Sequence, residues 1–209
     1  MKLNEFAAEV HRNAVEHGWW DKSVSFGEII VMCHSELSEA VEEYRKNRPM
    51  VYYPCNSGRL CVDDRQDNVS CGSRTYDPEH PDAPCKARST EPKGVAVELG
   101  DCILRILDYC CKEDIDIDAV IESGPQIRHT RNKTFGEFVC GCHYLLSMAY
   151  LYEHAEKELV RVQYPWRLAG CITDILDWAR VEGVDMRAVM EAKHAYNKGR
   201  PYRHGGKRL

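Results

Sequence analysis

Long apolar runs are missing from this 209-residue sequence: none approaches the roughly 18 residues that a membrane-spanning helix needs. Met1 to Trp20 places Glu5, Glu9 and Glu16 where a signal peptide would carry its apolar stretch, so the chain reads as neither inserted nor exported, and cytoplasmic. A strong charge of one sign is missing as well. With 28 basic and 33 acidic residues the formal charge is −5, which argues against binding nucleic acid as a duplex. No GxSxG, Walker A, GxGxxG or HExxH pattern occurs, so acyl-enzyme, P-loop, Rossmann and zincin chemistry find no support. Proline is scarce outside one stretch, since six of the nine fall between Pro49 and Pro92. Cysteine is not scarce, but its count of 11 is odd, and Cys33, Cys102, Cys110, Cys140, Cys142 and Cys171 sit in periodic apolar segments. Buried thiols in a reducing compartment fit that placement better than a disulfide framework.

What is present is a duplication. Ser25 to Arg45, SFGEIIVMCHSELSEAVEEYR, aligns at an offset of 109 with Thr134 to His154, TFGEFVCGCHYLLSMAYLYEH, with 8 of 21 positions identical. Glu98 to Glu122, ELGDCILRILDYCCKEDIDIDAVIE, aligns at an offset of 69 with Arg167 to Glu191, RLAGCITDILDWARVEGVDMRAVME, with 11 of 25 identical. The first copy therefore carries 40 additional residues between its blocks. Repeats of this kind decide the reading of a fold, because each copy should adopt the same local structure.

Both blocks have helical periodicity. Ile29, Ile30, Cys33, Leu37, Ala40, Val41 and Tyr44 follow the i, i+3, i+4, i+7 pattern, and Ser25 with Glu28 three residues on predicts a capping-box start. Val97, Leu99, Ile103, Leu104, Ile106 and Leu107 recur with helical spacing, and Ile115, Ile117, Val120 and Ile121 begin another helix after Glu113 and Asp114. Phe6, Val10 and Val15 mark an amphipathic face over Leu3 to His17, and no segment alternates as a strand would. The expectation is an all-α chain of two tandem bundles, 1–131 and 132–209, with an insertion over about 49–92. Cys55, Cys61, Cys71 and Cys85 in that insertion either close a structural Zn²⁺ site or remain free thiols on a surface loop, for their spacing lacks the tight CxxC pairs of most zinc sites.

The chemistry-bearing pattern is acidic. Glu36, Glu39 and Glu43 fall at i, i+3 and i+7 on one helix, and Glu98 and Asp101 at i and i+3 on another. In the second copy the matching positions are Leu145, Met148, Tyr152, Arg167 and Gly170. A solvated face would hardly turn apolar in a duplicate that keeps its fold, so these positions are expected to point inward. Inward acids without partners need cations, and oxygen-only donors select hard Mg²⁺ or Mn²⁺. The copies differ in the opposite sense at their ends. Lys193, Asn197 and Arg200 stand at helical spacing before a Gly-rich basic tail containing Lys207 and Arg208, where the first copy has Gly124, Arg128 and Arg131. Lys and Arg on one face suit phosphate oxygens, and Asn can donate to a base or sugar. Trp19 and Trp20 suit either bundle closure or nucleobase stacking, and the recurrence of His34 as His143 favours a packing role.

ELSEAVEE, ELGDCILRILDYC and the closing KxxxNxxRPYRHGGKR together resemble the MazG-type all-α nucleoside triphosphate pyrophosphohydrolases, relatives of the dimeric dUTPases and dCTP pyrophosphatases. Ser35 stands where the first Glu of the family's EExxE motif often lies. The resemblance implies four-helix bundles paired as an intramolecular pseudo-dimer, with two such chains able to associate. It implies Mg²⁺-dependent hydrolysis of an NTP or dNTP to the monophosphate and pyrophosphate. Carried onto this chain, Glu36, Glu39, Glu98 and Asp101 would hold the metal, Glu39 or Glu43 would orient or deprotonate water, and Lys193, Asn197 and Arg200 would bind substrate. The rival reading is a nucleotide sensor or adaptor without turnover.

Overall fold

The two copies open on the same capping device. In the computed structural model, which describes residues 2–55, 60–61, 89–124 and 133–206, Ser25 Oγ accepts from the backbone N–H of Glu28 while the Glu28 carboxylate accepts from that of Ser25, and Thr134 and Glu137 repeat the exchange. Helices α2 (Phe26–Arg45) and α5 (Phe135–Glu153) follow from these starts. A later cap also recurs: the Asp116 side chain accepts from Ala119 N to begin α4 (Ile117–Ser123), and Asp185 accepts from Ala188 N to begin α8 (Met186–Lys198). Each such cap is worth about 1 kcal/mol, so helix starts written in the sequence are fixed locally before any packing.

The remaining helices are α1 (Leu3–Glu16), α3 (Val95–Lys112), α6 (Glu158–Arg161), α7 (Tyr164–Val181) and α9 (Arg203–Gly206). The architecture is all-α. Helix α2 packs on α3 and α5 on α7, α2 and α5 meet each other, and the ends exchange: α4 lies on α7 while α8 lies on α3. One continuous core includes Leu37, Leu99, Ile103, Leu107, Leu146, Ile172 and Ile175, all fully buried. At about 1.5–3 kcal/mol for each buried aliphatic side chain, this shared core ties both copies into one folded unit. Where α2 meets α5, the rings of His34 and His143 stack with Nδ1 atoms 2.7 Å apart, as the packing reading of this repeated histidine required. Among the described residues no helix is long and apolar enough to cross a membrane.

Two expectations are corrected. The stem of the insertion is paired backbone: Tyr53–Pro54 (β1) and Leu60–Cys61 (β2) form an antiparallel ladder, and Tyr52 and Lys93 exchange N–H···O bonds of 2.8 Å. Two-residue strands are too short to produce alternation that a sequence reading could detect. Gly94, at φ +120°, then turns the chain into α3, and a β-carbon there would lie 2.5 Å from Pro49 O and 2.6 Å from Met50 O, where a side chain would not fit. Among the thiols, Cys33, Cys102, Cys110, Cys142 and Cys171 are buried as expected, but Cys140 is exposed. Cys140 precedes Cys142 by two positions on α5, and residues two apart lie on nearly opposite sides of a helix.

Candidate metal and substrate site

Helices α2 and α3 lie side by side, and their contact gathers acids. Glu36 from α2 and Glu98 and Asp101 from α3 bring one carboxylate oxygen each within 4.8 Å of the others. Glu36 is 5% and Glu98 9% exposed. Two like charges 4 Å apart at an effective dielectric of 20 repel by about 4 kcal/mol, so the cluster needs neutralisation. Part of it comes from within the chain. Arg105 Nε donates to Glu36 Oε1 at 2.6 Å, and Lys193 Nζ lies 2.7 Å from Asp101 Oδ2. The expectation that the acids stand unpaired is thus corrected for Glu36 and Asp101. Glu98 makes no ion pair among the described residues.

Burial drives the proton affinities. Loss of hydration pushes Glu98 up to about 8, with Lys193 opposing and Asp101, Glu36 and Glu39 reinforcing. Asp101 is raised to about 6, again chiefly by burial, against the pull of Lys193. Burial works against the charged forms of Lys193 and Arg105, yet the carboxylates around them prevail and both stay above their ordinary values. A hard divalent cation fits this donor set: three clustered oxygen donors, one of which makes no ion pair among the described residues.

The sequence-selected residues divide at this point. Glu36, Glu39, Glu98, Asp101, Lys193, Asn197 and Arg200 all line one cavity of about 520 Å³. Glu39 is exposed at its edge, where Ser35 Oγ donates to it at 3.4 Å. Glu43 lies elsewhere. Seven residues along a helix correspond to about 10 Å, so Glu43 cannot share a metal with Glu36 although both fall on one side of α2. It accepts a hydrogen bond of 2.9 Å from Tyr52, whose phenol is pushed up to about 12 by burial first and by Glu43 second. Arg105 was not singled out from the sequence. Its signal was available: it follows Asp101 by four positions and shares that residue's face of α3.

Basic groups and aromatics close the cavity's other walls. Lys193 and Asn197 lie on the last turns of α8 and Arg200 just beyond its end, and the segment that follows folds back over the first interhelical turn. Arg203 donates from its backbone to His17 O at 3.0 Å and from Nε to Gly18 O at 2.9 Å, and Tyr202 donates to Asp21 at 2.6 Å. Gly18, at φ +77°, lies directly under the Tyr202 ring, so this crossing needs a residue without a side chain. Trp20 donates to Asp108 at 3.0 Å, Asp108 also holds His11 Nδ1 at 2.6 Å, and Lys112 sits 5.1 Å from the Trp20 ring. The indole is therefore fixed as part of the cavity wall. Lys207 and Arg208 of the basic tail, and Arg128 and Arg131 of the first copy's end, lie outside the described residues.

The duplicated position is lined by different side chains. Leu145 replaces Glu36 and lies against Gly170, which replaces Asp101: a β-carbon on that glycine would sit 3.5 Å from the Leu145 methyls. The Arg167 guanidinium, in place of Glu98, stacks 4.9 Å from the Tyr152 ring. Side chains fill in the second copy what carboxylates line in the first. Of the four insertion cysteines, Cys55 is buried and Cys61 lies in β2, while Cys71 and Cys85 are outside the described residues.

No protein-family model, no curated protein and no solved structure matches this chain.

Proposed function

We propose that the protein is a Mg²⁺-dependent nucleoside triphosphate pyrophosphohydrolase of the MazG-like kind, built as an intramolecular pseudo-dimer of two fused copies. The observation that carries this reading is the meeting of Glu36, Glu98 and Asp101 from the first copy with Lys193 from the second in one cavity, beside a duplicated position that is filled. Divergence that removes one site while preserving the other is expected where the preserved site does chemistry. The exchange of α4 and α8 between copies supports the pseudo-dimer, since it places the donors of the second copy over the acids of the first.

Glu36, Glu98 and Asp101 would hold Mg²⁺, or Mn²⁺ in its place, with Glu39 at the rim. The bound ion would offset negative charge on the triphosphate. Arg105 positions Glu36 through its 2.6 Å hydrogen bond. Glu39, exposed and close to the cluster, is placed to orient or deprotonate the attacking water, whereas Glu43 is tied to Tyr52 and has no such role. Lys193, Asn197 and Arg200 supply donors for phosphate oxygens or the nucleoside. The leaving group is pyrophosphate and the product a nucleoside monophosphate. Incubation with each of the eight common NTPs and dNTPs in Mg²⁺ tests the reading. Pyrophosphate released from at least one of them supports it, and none released from any would refute it.

A further inference from the structure

The cation that already sits in the acidic cluster is Lys193, and its place there has a consequence for binding order. Its Nζ lies 2.7 Å from Asp101 Oδ2, the residue is 7% exposed, and it belongs to α8, whose last turn carries Asn197 and is followed by Arg200 along the same cavity. The cluster's carboxylates, Glu36, Glu98 and Asp101, face two resident cations, Arg105 and Lys193. We propose that Lys193 is a resident counter-ion competing with the divalent cation for the carboxylates, so that bare metal binds weakly and metal and triphosphate bind cooperatively. This inference rests on the reading of the cavity as a metal and triphosphate site.

Coulomb's law gives the sign of the effect. An ammonium and a divalent cation drawn to the same few oxygens repel one another, and with two of the carboxylates already paired little net negative charge remains to attract the metal. A triphosphate reverses the balance. Its oxygens bring negative charge to the cavity mouth, and the flexible four-carbon stem of lysine lets Nζ turn toward them without moving α8. Metal and Lys193 are then no longer rivals, because each has anionic partners of its own. Arg105 differs in kind. It is held to Glu36 through its planar guanidinium, Nε to Oε1 at 2.6 Å, and stays as a fixed partner. Linkage requires the coupling to be reciprocal: whatever factor triphosphate adds to metal affinity, metal adds to triphosphate affinity.

The test measures binding rather than turnover. Calorimetry on the full chain compares Mn²⁺ alone with the preformed Mn²⁺·tripolyphosphate complex, for the wild type and for Lys193→Met. The variant is expected to bind bare Mn²⁺ about tenfold more tightly and the tripolyphosphate complex about tenfold more weakly than the wild type, opposite signs from one substitution. Equal or weaker binding of bare Mn²⁺ by the variant overturns the inference, and leaves the hydrolase reading intact if pyrophosphate is still released by the wild type. A wild type that binds neither Mn²⁺ nor the complex overturns both. Should Lys193→Met not fold, the wild type alone decides: it must bind the complex at least about tenfold more tightly than bare Mn²⁺, and equal affinities would overturn the inference.

Discussion

Lys193 reaches Asp101 at 2.7 Å, and through that contact the last long helix of the second copy meets a carboxylate cluster whose acids all come from the first. The two residues are 92 positions apart in sequence and lie in different copies, so neither copy alone contains the arrangement.

Separation of the copies follows directly. Residues 1–131 and 132–209 expressed apart each expose the core that α2 and α5, α3 and α8, and α4 and α7 share. Neither is expected to hydrolyse a nucleotide, and co-expression is expected to restore turnover. Full activity from residues 1–131 would show that the second copy is only a scaffold.

Removal of a donor should slow the reaction without unfolding the chain. Arg200→Ala is expected to lower kcat/KM by roughly 10²-fold, the usual effect of losing one preorganised donor to developing charge. Unchanged kcat/KM would take Arg200 out of the substrate site. Glu39→Gln should abolish nearly all turnover while leaving the thermal midpoint close to that of the wild type, because Glu39 is exposed and its loss relieves repulsion. Glu43→Gln is expected to retain activity, which separates the two carboxylates that sequence spacing alone placed together.

Stability should depend on pH through Glu98. Its carboxyl, raised to about 8 in the folded chain, binds a proton more tightly there than in the unfolded chain, whose value is near the ordinary 4.5. The folded state is therefore favoured below about pH 4.5 and loses that contribution as pH rises through about 8. Glu98→Gln, which mimics the protonated form, is expected to melt at a higher temperature than the wild type at pH 8.5 and to show a flatter profile between pH 6 and 8.5. Mg²⁺ is expected to raise the melting temperature of the wild type and not that of Glu98→Gln. Parallel pH profiles would contradict the buried, proton-binding Glu98.

The crossing of Tyr202 over Gly18 provides a structural prediction. Gly18→Ala places a methyl group into the Tyr202 ring and forces φ +77° on a residue with a side chain, at a cost of roughly 1–2 kcal/mol from the backbone alone. A lower melting temperature and loss of the Tyr202–Asp21 hydrogen bond are expected, and a melting temperature equal to the wild type's would mean that the tail does not lie there.

Much of this could be seen in the sequence because it is written twice. The caps at Ser25 and Thr134, the acids that become Leu145 and Gly170, and the repeated histidine are comparisons between copies, and each copy served as a reference for the other. Glu43 shows where the method ends. Side-chain direction follows helical period, but the distance along the axis decides which acids meet, and only the packing of α2 on α3 sets where along α2 the cluster forms. The partners Arg105 and Lys193 were hidden for a related reason: a charge that neutralises a buried acid is named by tertiary contact. Asp101 and Arg105 at i and i+4 carried a local hint, whereas the pairing of Lys193 with Asp101 depends on α8 crossing onto the other copy.

Pyrophosphohydrolysis is recognised by its products. Wild-type protein and Asp101→Asn, each with Mg²⁺ and the panel of nucleoside triphosphates, are followed by ³¹P NMR. The account predicts that the wild type converts at least one triphosphate to monophosphate and pyrophosphate, with no diphosphate formed, and that Asp101→Asn does not. Release of inorganic phosphate with a nucleoside diphosphate, or equal turnover by wild type and Asp101→Asn, would contradict it.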